Sequence, residues 1–175
     1  GWPPEAGWIH TICYATSTNG LHWERPKLDV VPDTNQVLPP DLTPDSWTVV
    51  PDWEATDPLQ RYKMFMRGPG GTMPGVSMTS ADGIHWVNRV VTGHTGDRST
   101  MFYNPFRRKW IYSLRSGWRG RSRDYRESDN FLRGAVWSAA DTVRWLAVDE
   151  KDPKDPKIQR VPQLYNFDAV AYESI

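Results

Sequence analysis

The stretch "SADGIHW", residues 80–86, is nearly repeated as "STNGLHW" at residues 17–23, and a looser version, "SAADTVRW", spans residues 138–145. Aligning the first two copies with their flanks matches Thr16 with Thr79, Ser17 with Ser80, Gly20 with Gly83, His22 with His85 and Trp23 with Trp86. Asn-Gly and Asp-Gly supply the positive φ that a two-residue hairpin needs, so each copy predicts strand, tight turn, strand. Asp82 is matched by Asn19, a change that a turn tolerates and a catalytic carboxylate does not. The stretch is therefore a hairpin device and a ruler for a repeat. His22 and His85 are expected to serve the turn, and Trp23, Trp86 and Trp145 to pack between units.

A second pattern runs out of phase with the first. "DPLQRYKMFM" (57–66) parallels "NPFRRKWIYSL" (104–114): an Asx-Pro turn, an arginine, then an alternating aromatic strand. Upstream lie short strands headed by aspartate, "DSWTVV" from Asp45 and "DRSTMFY" from Asp97, and "DAVAYES" from Asp168 starts the same way. The whole unit is four antiparallel strands, the content of one β-propeller blade. The chain is expected to hold about three blades of an incomplete five-bladed propeller in one domain over 1–175. The last two strands of one blade fall at 8–26, two blades at 45–91 and 97–148, and the first strand of the next at 165–175. "DEKDPKDPKIQRVP" (149–162) reads as a surface loop.

Composition agrees with an all-β chain: 10 Trp, 15 Pro and 13 Gly among 175 residues favour short strands and frequent turns. Lys+Arg and Asp+Glu are both 21, which argues against nucleic acid or an anionic membrane as partner. No apolar run reaches membrane-spanning length. A secreted or periplasmic location would follow only if the full-length protein carries a signal peptide, which "GWPPEAGWIH" does not resemble. The lone Cys13 is expected to be a small buried hydrophobe. Exposed blade edges would permit self-association. No cofactor is implied, and the histidines lack the spacing of metal ligands.

Residues at the entry of each first strand converge on one channel mouth in a propeller. Asp45, Asp97 and Asp168 hold that position, and convergent carboxylates are the equipment of glycoside hydrolysis. The combination of "CYATSTNGLHWERP", "RYKMFM", "SADGIHW", "GDRSTMFYNPFRRKWIYSLRS" and "YNFDAVAYES" resembles the five-bladed propeller glycoside hydrolases of families 32, 43, 68 and 117. The resemblance implies a channel-mouth site with an aspartate base or nucleophile, a second aspartate and an acid, acting on a poly- or oligosaccharide. The first of these usually comes from the first blade, whose inner strand would precede residue 1. By position Asp97 looks like the second aspartate, with Arg98 beside it to bind sugar hydroxyls or hold a carboxylate. For the acid the order of preference is Asp168, then Glu127, then Glu173. The "WMNDPNG" string and Glu-Cys motif of family 32 are absent, so sucrose or fructan specificity is not implied.

Further candidate substrate contacts are His94, just before Asp97, Trp47 and Trp118 as sugar platforms, and Arg115. "RSGWRGRSRDYRESD" (115–129) is either an arginine-rich substrate loop or a solvated loop in which arginines pair with Asp124, Glu127 and Asp129. Competing readings are a glycoside phosphorylase, with phosphate held by arginines near Asp97, and a catalytically silent carbohydrate-binding propeller.

Overall fold

The strand "YKMFMR" shows how the chain is built. In the computed structural model, which describes residues 10–68, 73–157 and 162–172, it forms β2 (Tyr62–Arg67) and is buried along almost its whole length. Alternate residues on a strand point to opposite faces. Met64 and Met66 join Ile12, Val37, Leu38, Leu42 and Met78 in one core, while Phe65 joins Met101, Trp110, Tyr112, Leu114, Phe131 and Trp137 in another. A strand apolar on both faces belongs to a layer covered on both sides.

The layer containing β2 is a four-stranded antiparallel sheet ordered β1-β2-β3-β4, with β1 (Ser46–Pro51), β3 (Met73–Ser80) and β4 (Trp86–Thr95). The second layer repeats it in the order β5-β6-β7-β8, from Thr100–Asn104, Lys109–Ser116, Ser122–Ser128 and Val143–Leu146. The protein is thus all-β, with two four-stranded antiparallel sheets, one within 46–95 and the other within 100–146. Neither sheet closes on itself. The first strands lie side by side, and the Met101 N–H donates to Thr48 Oγ1 at 3.4 Å. Between the sheets Phe65 meets Tyr112 edge to face, with centroids 5.3 Å apart, and Trp137 packs on both.

The turns carry the chemistry that the repeat predicts, in a longer form. Ser80 Oγ accepts from the N–H of Asp82 and Gly83, and Asp82 Oδ1 from those of Ile84 and His85. Ser17 and Asn19 make the same four bonds to Asn19, Gly20, Leu21 and His22. Ser80 pairs with Trp86 across the strands, so the connection has five residues rather than two. Only the glycines, Gly20 (φ 72°) and Gly83 (φ 79°), take positive φ there. The side-chain oxygens replace the backbone bonds of a tighter turn. The copy at Ser138 opens instead with a 3₁₀ turn, Ala139–Asp141, capped by Ser138 and Asp141. At the Asx-Pro turns Asp57 accepts from Leu59 N–H, and Asn104 from the N–H of Phe106 and Arg107.

The flanking units differ from expectation. Residues 8 and 9 lie outside the described residues, and 10–26 form isolated bridges, Thr16 with Glu24 and Cys13 with Gln36, rather than paired strands. Residues 18–25 are exposed on every side and Pro26 offers no N–H, so no buried face extends the ladder. Cys13 is exposed, because its neighbours Ile12 and Val37 fill the core instead. Residues 162–172 form no strand; they lie along the second sheet, Leu164 N–H donating to Arg121 O and Phe167 meeting Trp145 edge to face. Trp86 packs against the first core, whereas Trp23 is exposed and donates its indole N–H to Gly20 O at 3.1 Å.

Candidate functional site

Both sheets carry the same latch at the same end. Asp45, just before β1, donates its N–H to Arg67 O, and its Oδ2 accepts from Arg67 Nη1 at 2.7 Å. In the second sheet the Gly96 N–H donates to Arg115 O, and Arg115 Nε stands 3.1 Å from Asp97 Oδ1. An aspartate heading the first strand is thus held by an arginine from the end of the second. Arg67 is almost fully buried, so its charge depends on this pairing. Asp97 is held from its other side by Tyr165, whose hydroxyl donates to Oδ2 at 3.0 Å.

Between the two strand starts and residues 166–168 lies a cavity of about 250 Å³ whose wall includes Asp45, Trp47, Arg98, Thr100 and Asp168. Trp47 is about half exposed, and Arg98 and Asp168 are exposed. Arg98 sits at φ 58°, a strained conformation for a side chain of that size that swings the residue out at the turn into β5. A hydrogen bond to Tyr165 and the attraction of Asp45 and Asp97 hold its guanidinium above its ordinary pKa.

Behind this wall is Arg123, fully buried on β7. Its Nη1 donates to Arg98 O at 2.6 Å and its Nη2 to Tyr165 O at 2.7 Å, so one guanidinium fixes both the strained turn and the segment that brings Asp168. Burial lowers its pKa, and the nearby Asp168 and Asp97 oppose that shift; an arginine stays charged regardless.

Of the residues singled out from sequence, Asp45, Trp47, Arg98 and Asp168 share this cavity, and Asp97 and Arg115 form the ion pair beside it. The others lie elsewhere. Glu127 is on β7 opposite Ile111, not in an excursion over the mouth. Four residues from Arg123 along a strand, it sits about 13 Å toward the far end, held by Arg107 and by the Tyr125 hydroxyl. Its segment is no loop, because Ser122–Ser128 pairs with β6 along its whole length. Trp118 is in the β6–β7 turn, with Arg144 over its ring. His94 lines a separate cavity of about 440 Å³ with Arg115. Glu173 lies outside the described residues.

Sequence reasoning missed Arg67, Arg123 and Tyr165. Arg67 had a signal, since "KMFMRG" and "IYSLRSG" both carry an arginine at or next to the end of a second strand, just ahead of a glycine. The arginines of 115–126 are dispersed: Arg119 reaches Glu150 at 3.5 Å, Arg121 stacks on Tyr165 and Arg123 is internal. Among the described residues no cluster of three or more His, Cys, Asp or Glu is arranged to hold a metal, and no helix is long and apolar enough to cross a membrane. A scan against protein-family models finds no match for the chain, and searches of curated proteins and of solved structures find none either.

Proposed function

We propose that the two sheets are neighbouring blades of a propeller-type array and that the cavity at Asp45, Arg98 and Asp168 binds and cleaves a glycoside. The observation that carries this reading is the meeting of two carboxylates, a guanidinium and a half-exposed indole in one small cavity built from strand entries. The layered stacking of equal four-stranded units and the side-by-side first strands support the blade reading.

Roles follow from how each group is held. Asp168 has no hydrogen-bond partner among the described residues and faces the cavity, which leaves it able to give a proton to the leaving oxygen. Asp45 and Asp97 are tied to arginines and act as fixed charges: Asp45 faces developing positive charge on the sugar, and Asp97 positions the wall. Water attacks the sugar carbon as the leaving group departs, giving its proton to the Asp168 carboxylate and so restoring the acid. Trp47 offers an apolar surface to a sugar ring, and Arg98 donates to hydroxyls. A second reading, a binding site without turnover, is favoured by the same two ion pairs, because tied carboxylates recognise hydroxyls without exchanging protons.

A panel of oligosaccharides incubated with and without inorganic phosphate separates hydrolysis, phosphorolysis and binding alone. Asp168→Asn is expected to cut turnover about a thousandfold, within the span of general acid catalysis, while calorimetric affinity stays within a few-fold. Undiminished turnover would remove Asp168 from the chemistry. Binding without turnover by the unmodified chain would leave the second reading.

A further inference from the structure

The cavity of about 440 Å³ lined by Arg115, the partner of Asp97, is not used by the chemistry above. It lies at the same end of the sheets. Ser46 pairs with Arg67 and Met73 with Thr95, so the start of β1 and the end of β4 share one end of the first sheet. Thr100 pairs with Ser113 and Ser116 with Ser122, which places the start of β5, the end of β6 and the start of β7 together in the second. Gly96 lines the larger cavity and Arg98 the smaller, with Asp97 between them in the chain.

The larger cavity has the character of a binding site. Its walls are mainly apolar, from Leu114, Trp137 and Ala139, and its polar groups are few: Arg115, Asp124, Ser116 and the exposed His94. Trp137 can form the floor only because residue 93 is glycine; a Cβ there would stand 2.2 Å from the indole. The Trp137 indole N–H donates to His94 O at 3.3 Å, and Asp124 Oδ1 accepts from Ser116 Oγ at 3.0 Å. Arg115 engages Asp97 through Nε, and nothing among the described residues takes a hydrogen bond from its two Nη groups. Arg115 is balanced by Asp97 and Asp124 already accepts from Ser116, so the walls offer hydrogen-bonding groups beside an apolar surface, which suits hydroxyl-rich, uncharged matter.

We infer that this cavity takes the adjoining units of a neutral oligosaccharide whose terminal unit lies at Asp45, Arg98 and Asp168, with the Asp97–Arg115 pair as the sill between the two compartments. The inference rests on the glycoside reading above. Substrate preference then rises with chain length, and Arg115 touches both the sill and the second sugar.

The test uses the full chain and ladders of arabino-, xylo- and galacto-oligosaccharides from one to five units, with an oligogalacturonate ladder as the charged control. Affinity is read by calorimetry. For at least one neutral ladder, affinity is expected to rise at least tenfold from one unit to three. Gly117→Trp should abolish that rise and leave one-unit affinity within twofold. Gly117 suits this substitution because a Cβ there meets nothing closer than 3.9 Å. Ala139→Trp, filling the cavity from the opposite wall, is the second variant, and circular dichroism confirms folding of both. A length dependence that survives both variants, binding independent of length, or preference for the galacturonate ladder overturns the inference while leaving the glycoside reading in place. Failure of all ladders to bind at any length would sink both.

Discussion

At the scale of the residue, the molecule depends on arginines that are buried before they are useful. Arg67 and Arg123 are among the largest fully buried side chains, and each holds a residue that faces the small cavity, Asp45 directly and Arg98 through its carbonyl. Arg67→Met keeps the volume but leaves Asp45 without its cation. It is expected to destabilise the fold by about 2–3 kcal/mol, below the range for a fully buried pair because Asp45 reaches water; urea denaturation would measure it. Adding Asp45→Asn should recover part of the loss, since the residual charge is then gone. The aspartates were readable because they head a repeated strand pattern. Arg123 was not: the run from Arg115 to Arg126 offers five similar residues, and only the packing of residues 162–172 over the sheet decides which goes inside.

At the scale of the element, the hairpin that revealed the repeat also ties the first sheet to the segment that precedes it. His85 stands between two carboxylates, Nδ1 2.6 Å from Asp82 Oδ2 and Nε2 2.9 Å from Asp29 Oδ1. Both ring nitrogens can donate only as imidazolium, so its pKa is raised by Asp82 and then Asp29. The His85 and backbone hydrogen bonds, against a desolvation penalty, lower that of Asp82. A raised histidine stabilises the fold fully below its unfolded value of 6.5 and loses this as pH rises through the folded value; a lowered aspartate stabilises above 3.8 and loses this as pH falls. The tether is therefore complete between about pH 4 and 6.5. The melting temperature of the parent should fall from pH 6 to pH 8 by more than that of His85→Ala, and equal falls in thermal scans would refute the tether. The repeat exposed the turn residues; Asp29 lies 56 positions from His85, and nothing in its own surroundings marks it as a partner.

At the scale of the whole molecule, two equal sheets and their order were legible because the hydrophobic alternation and the Asx-Pro and Asx-Gly turns agree over about a hundred residues. The flanking segments were not, because a strand needs a partner and periodicity alone does not supply one. Phe65 is the common element, since it reaches across from the first sheet to Tyr112 and Trp137 in the second. Phe65→Ala should cost about 3–5 kcal/mol, and tryptophan fluorescence should show Trp137 exposed in less denaturant than in the parent. A change confined to the first sheet would mean that the layers fold independently.

The small cavity takes its walls from the start of one sheet, the start of the next and a segment beyond both. No single layer owns it, so its width is a gauge of how the layers are seated on one another. Selection on what the cavity admits then has two places to act: the lining itself, and the aromatic bearing at Phe65, Tyr112 and Trp137 that sets the spacing from a distance. The second changes what fits without altering any group that makes contact.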